Sequence, residues 1–198
     1  MENILFILIG IFGSASYAAG TYQMLRGHYK PSIFSRVVWV LLAINSFVAV
    51  LLSNSSKASV FLAGILLSGN FLICLLSFWK GSREFGRLEY VCLGLLALSG
   101  VIWIIFDAPL LNLGLGLFGH LVGAAPTYKK VWRDPESESA GFWSLFFIAS
   151  VLSIAASYGQ SWQFIIFPIY YALFDGSMFA LCAWQKAKEL ADSYFAIG

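Results

Sequence analysis

Apolar residues run along this chain in seven long blocks: Ile4 to Leu25, Ile33 to Leu52, Ala58 to Trp79, Tyr90 to Phe106, Leu110 to Tyr128, Gly141 to Ala156 and Trp162 to Trp184. Short polar or Gly/Pro/Ser-containing joints such as "RGHYKPS", "SNSSK", "KGSREFGR" and "SYGQS" set them apart. Most blocks reach or approach the ~20 residues that cross a ~30 Å hydrocarbon core at ~1.5 Å per residue. The pattern predicts an all-α integral membrane protein of seven transmembrane helices, with nothing left over for a soluble domain. The first block opens "MENILF", with no positive start and no small-residue cleavage site. It is therefore expected to remain as a helix and not to be removed as a signal peptide.

Composition agrees with the pattern. Charged residues make up 11% and hydrophobic residues 60% of the chain, against about 25% charged in an ordinary soluble domain, and a soluble fold of this size could not hide so much apolar surface. Cys74, Cys92 and Cys182 all fall inside the apolar blocks, so they read as packing residues with no disulfide or metal framework. No cofactor is expected.

Net charge is only +2, but its placement is informative. Arg26, Lys30, Arg36, Lys80, Arg83, Arg87, Lys129, Lys130, Arg133, Lys186 and Lys188, eleven of the twelve Lys and Arg, fall in the first, third and fifth joints and the C-terminal tail, and only Lys57 falls on the other side. The positive-inside bias then puts the N-terminus outside and the C-terminus in the cytoplasm of a bacterial-type inner or plasma membrane. Trp39, Trp79, Trp132, Trp143 and Trp184 sit near inner block ends and Trp162 near an outer one, as interface anchors would.

Sliding the chain by 106 residues lays "GIFGSASYAAGTYQMLRG" over "GLFGHLVGAAPTYKKVWR" with seven identities in eighteen ungapped positions. Further on, at slightly different offsets, Phe34 meets Phe142, Asn45 meets Ser153, Asn70 meets Asp175 and Trp79 meets Trp184. Both copies begin on the same side, so one extra helix must return the chain between them. Residues 1–81 form the first three-helix repeat, 82–108 the linker helix, and 109–198 the second repeat with a short cytoplasmic tail. Such parallel repeats are a transporter signature. Gly10, Gly13, Gly116 and Gly119 serve packing within the protein or between protomers, which leaves a homo-oligomer open.

This three-plus-one-plus-three arrangement, together with "APTYKKVWRDPESESAGFWSLFF" and "AGTYQMLRGHYKPSIFSRVVW", resembles the PQ-loop superfamily. That group includes SWEET sugar transporters, half-size SemiSWEETs, lysosomal amino acid exporters of the cystinosin kind and KDEL receptors. The Pro-Gln pair itself is replaced by Pro126-Thr127 in one copy and Gly20-Thr21 in the other. The resemblance implies hinges at these positions. Pro126 can kink its helix by removing a backbone hydrogen bond, whereas Gly20 can only loosen one, so motion is expected to concentrate in the second half.

Asn45, Asn70, His120, Ser153 and Asp175 lie about ten to thirteen residues into their blocks, ~15–20 Å deep at ~1.5 Å per residue. They are the candidate substrate-binding set. Asp175 is the most informative, because a carboxylate at mid-bilayer costs ~2.5–3.5 kcal/mol on insertion scales and such groups usually face ion or substrate pathways. The resemblance implies that Asn70 occupies the position of a sugar-facing asparagine of SWEETs, while Asp175 replaces its counterpart. Asp175 could carry a proton across or pair with a substrate's amine.

The expected function is carriage of a small polar solute, sugar or amino-acid-like, by alternating access, with H+ coupling through Asp175. The expected partners are that solute, H+ and the lipid bilayer, with no nucleic acid. A non-transporting receptor of KDEL-receptor-like architecture is the alternative, although no Lys or Arg is expected deep in a span to meet a carboxylate. A retinal protein needs a lysine in the middle of the last block, which has none before Lys186. No enzyme is expected either: there is no metal-ligand spacing, no Gly-x-Ser-x-Gly elbow and no phosphate-binding glycine motif.

Overall fold

The computed structural model describes residues 2–27, 31–81, 83, 87–134 and 138–195; residues 2, 186 and 189–195 are described by their backbone only. Lys30 and Ser82, used above for charge placement and a domain boundary, lie outside the described residues. The described residues fold into seven helices: α1 (Glu2–Leu25), α2 (Ile33–Leu52), α3 (Lys57–Lys80), α4 (Arg87–Phe106), α5 (Pro109–Arg133), α6 (Ala140–Ala156) and α7 (Trp162–Phe195).

Serines in the joints start three of them. Ser32, Ser56 and Ser139 each accept from a backbone N–H three residues on, those of Ser35, Ser59 and Phe142, at 3.4, 3.0 and 3.1 Å, which satisfies a donor that every helix start leaves open. Pro109 begins α5, where its missing N–H loses nothing. After α1 the chain turns at Gly27, whose φ of 81° suits glycine.

Among the described residues, six helices are long and apolar enough to cross a membrane. The exception is α6, whose 17 residues rise ~25 Å against the ~30 Å core; it is an apolar helix close to the block read from Gly141 to Ala156. At the other extreme, α7 continues as one helix from the span to Phe195, where a short tail was expected.

The burial pattern is that of a membrane protein. Ile4, Ile7 and Ile11 on α1 and Ile104 to Phe106 on α4 are exposed, while Ser16, Ser46, Ser59, Ser99, Asn112, Ser150 and Ser153 are fully or almost fully buried. In lipid the polar groups turn inward to find partners and the apolar ones face the chains.

Exchanging α1, α2 and α3 for α5, α6 and α7 maps three packed pairs onto three others, α1–α3 onto α5–α7, α2–α3 onto α6–α7, and α1–α6 onto α5–α2, while α3–α6 has no such counterpart. α4 stands outside this exchange, against α5 and α2. Glycines hold the close crossings. A Cβ at Gly116 would stand 2.8 Å from the Asn45 amide nitrogen, one at Gly13 3.0 Å from Ile65, and one at Gly119 3.4 Å from Leu42. Gly10 faces Phe61 at 3.5 Å, so all four glycines pack against neighbours within the chain.

Candidate functional site

A cavity lies where α1, α2, α3, α5, α6 and α7 converge. Its deep part is lined by Leu66, Asn70, His120, Tyr171 and Asp175, and its lining continues to Gln23, Arg36, Glu138 and Ser139. These last four sit at the end of the bundle that carries the joints α1–α2, α3–α4 and α5–α6, the basic end. The free space inside is about 30 Å³, where one water needs ~10–15 Å³. The helices therefore close tightly on the site in this conformation.

Three of the five candidate polar residues meet here, namely Asn70, His120 and Asp175. Asn70 donates through its amide nitrogen to the Tyr17 hydroxyl at 3.0 Å and to the Leu66 carbonyl at 3.0 Å. Both of its N–H groups are thereby used, and its carbonyl oxygen remains to accept. His120 Nδ1 pairs with the Tyr170 hydroxyl at 2.8 Å. Each bundle thus carries a tyrosine-hydroxyl tie between its first and third helix. Asp175 is 2% exposed, and its Oδ2 is buried without a hydrogen-bond partner among the described residues.

The other two candidates point elsewhere. Asn45 sits against Gly116, with its Nδ2 unpartnered, and Ser153 is fully buried in α6 with an unpartnered hydroxyl. Neither lines the cavity. Gly20 does, at a close helix crossing: a Cβ there would stand 3.0 Å from the Phe142 ring. Pro126 lies on the exposed side of α5, which runs on past it to Arg133. A second helix-interior proline, Pro168 in α7, was not singled out from sequence.

Aromatic rings form a closed circuit around the site. From His120 it passes to Phe174 at 4.8 Å between ring centroids, then to Trp143 at 5.8 Å and Phe142 at 4.8 Å. It continues to Tyr17 at 5.4 Å, Phe146 at 5.7 Å and Tyr171 at 5.9 Å, and returns to His120 at 5.3 Å. Most of these contacts are edge-on, the arrangement that ring quadrupoles favour. Trp39 joins from α2, 4.7 Å from His120. Trp39 and Trp143 are therefore not interface anchors as the end-of-block rule suggested. Trp143 is 4% exposed and both line the cavity, whereas Trp79, Trp132, Trp162 and Trp184 are well exposed.

No family, curated protein or solved structure matches the chain.

The two ends of the bundle are closed differently. At the end opposite the basic one, Ser157 donates to Ser56 at 2.6 Å, Ser56 and Ser59 share a bond at 2.7 Å, and Ser59 donates to the Phe164 carbonyl at 3.2 Å. The Ser56 N–H reaches the same carbonyl at 3.2 Å. This clasp ties the α2–α3 joint to the α6–α7 joint. At the basic end, Arg36 stands in the first turn of α2 with its guanidinium 5.1 Å from the Trp39 ring centre. Counted from sequence as part of a joint, it belongs to the cavity lining. Glu138 pairs with Lys130 at 3.5 Å. Burial holds the Glu138 carboxyl above the usual carboxylate range, while the charges of Lys130 and Arg36 draw it back.

Tyr17, Trp39, Arg36 and the circuit were missed from sequence. A usable signal existed for Tyr17, which falls at helical spacing between Gly13 and Gly20 on the small-residue face of the first block.

Proposed function

We propose that the protein is a membrane carrier for a small polar solute, sugar or amino-acid-like, in which two three-helix bundles, α1–α3 and α5–α7 joined by α4, rock about the cavity between them. The resemblance to the PQ-loop superfamily points the same way, as does the exchange of packed pairs between the two halves. The observation that carries the reading is a cavity lined by polar groups from both bundles, clasped by serines at one end and lined to the other. This is the arrangement alternating access requires: a midplane site shut from one side while its lining leads to the other. The N-terminus lies outside and the basic end in the cytoplasm, by the bias of Lys and Arg. Asp175, a carboxyl at mid-depth, is the group that moves a proton with the solute.

Arg36 in the cavity lining favours a second reading, a receptor that holds a ligand without carrying it. Solute uptake into proteoliposomes, measured with and without an inward proton gradient, tests both. The carrier takes up solute, and Asp175→Asn abolishes the gradient's effect. Saturable binding with no uptake under any gradient would leave the receptor. Uptake unchanged in rate and pH dependence by Asp175→Asn would remove the proton role.

A further inference from the structure

We infer that the cavity binds a small organic ammonium ion, with its positive head set between Asp175 and the surrounding aromatic rings. The inference deepens the carrier reading by naming its ligand class, and it rests on that reading only for how the ligand enters and leaves.

Asp175 is the first observation. Asp175 is 2% exposed and its Oδ2 has no partner among the described residues, which is costly, because a buried charge without a counter-charge or hydrogen bonds is strongly disfavoured. An ammonium head supplies both at once, through charge-assisted N–H donors. The second observation is independent of the first. Tyr17, His120, Phe142, Trp143, Phe146, Tyr171 and Phe174, the rings of the circuit, all line the cavity, and aromatic rings in a desolvated site attract cations at their faces. A neutral sugar would gain contact area from the rings but nothing from the charge.

The remaining groups agree. Asn70 has committed its N–H groups to Tyr17 and Leu66, so its oxygen is what it offers. Arg36 enters the lining in the first turn of α2, at the basic end, where its charge acts on Glu138. Asp175 would repel an anionic head placed in the deep site. Size agrees as well: space for about two water-sized centres matches the methylene and nitrogen of a primary amine, with any larger remainder lying toward Arg36 and Glu138.

The test uses the full chain in lipid nanodiscs at neutral pH, with ethanolamine as probe. Ethylene glycol, which replaces the ammonium by a hydroxyl, and glucose serve as comparisons. Binding is read by thermal stabilisation and by tryptophan fluorescence, because a ligand of the folded state raises its apparent stability. Ethanolamine is expected to saturate the site at least tenfold more tightly than either comparison. Asp175→Asn is expected to weaken it at least tenfold, and Phe174→Leu, which keeps the apolar volume and loses the π face, at least threefold.

Equal binding of ethylene glycol, no saturable binding of ethanolamine, or unchanged affinity in either folded variant would overturn the inference. Should Asp175→Asn not fold, Phe174→Leu decides it alone. Binding of ethanolamine without uptake would leave the inference standing and remove the carrier. Saturable uptake of glucose with no ethanolamine binding would do the reverse.

Discussion

The ring of Tyr17 lies so close over Gly69 that a Cβ at position 69 would overlap it. The neighbouring Asn70 then donates to the Tyr17 hydroxyl, so α1 and α3 are fixed at both the ring and its oxygen. Gly69→Ala is expected to destabilise the protein by at least ~1–3 kcal/mol, the usual range for overpacking, read by thermal unfolding in detergent. Tyr17→Leu in the same chain should recover part of that loss, because residues in contact couple. Full additivity of the two changes would show that the ring does not lean on Gly69.

The serine clasp is expected to set how often the end opposite the basic one opens. Ser157→Ala removes its bond to Ser56, worth ~1 kcal/mol or about fivefold in an opening equilibrium. The native cysteines are all buried, so a cysteine placed at the buried Ser153 gives a low-background reporter. Its labelling by a small membrane-impermeant thiol reagent should speed up several-fold in the Ser157→Ala protein. An unchanged rate would mean that the clasp does not gate this end.

Much of the fold is legible in the sequence because lipid imposes one rule over long stretches. Each apolar block became a helix whose ends fall within about five residues of those read from the block, except that α7 runs on to Phe195, and serines or a proline mark four of the starts. The site was half legible. Asn70, His120 and Asp175 stand out because a polar side chain inside an apolar block is costly wherever it points. Asn45 and Ser153 lie at the same depth and miss the cavity: rise per residue gives depth, but the direction a side chain faces around the helix depends on packing. Trp143 was misread for a related reason. When both the lipid and the interior are apolar, an aromatic residue near a block end carries no mark of which one it faces.

Glu138 is expected to make stability fall as pH rises. Burial raises its carboxyl above the ordinary value of 4.5 in the folded chain, so the folded state holds that proton more tightly than the unfolded one. Its contribution is present at acid pH and is lost as pH climbs from 4.5 through the raised folded-state value. Glu138→Gln should flatten this part of the stability profile, as followed by thermal unfolding across the pH range. A slope that survives in Glu138→Gln would assign it to other groups.

Pro126 is expected to trade stability for motion. Proline in a helix interior is ~3 kcal/mol less favourable than alanine, and the exposed position leaves room for the exchange. Pro126→Ala should raise the unfolding temperature while slowing solute flux. Gly20→Ala should behave otherwise, because its new Cβ would press on Phe142 and lower stability. Equal flux in Pro126→Ala and the native chain would remove the hinge.

With α6 about 5 Å shorter than an average hydrocarbon core, the membrane beside it must thin locally or draw in the joints at its two ends. α6 also packs against α1 and α7, which line the cavity. Bilayer thickness therefore bears directly on the wall of the site, and short-chain lipids, which match α6 best, become an external setting for how easily the protein holds its shape.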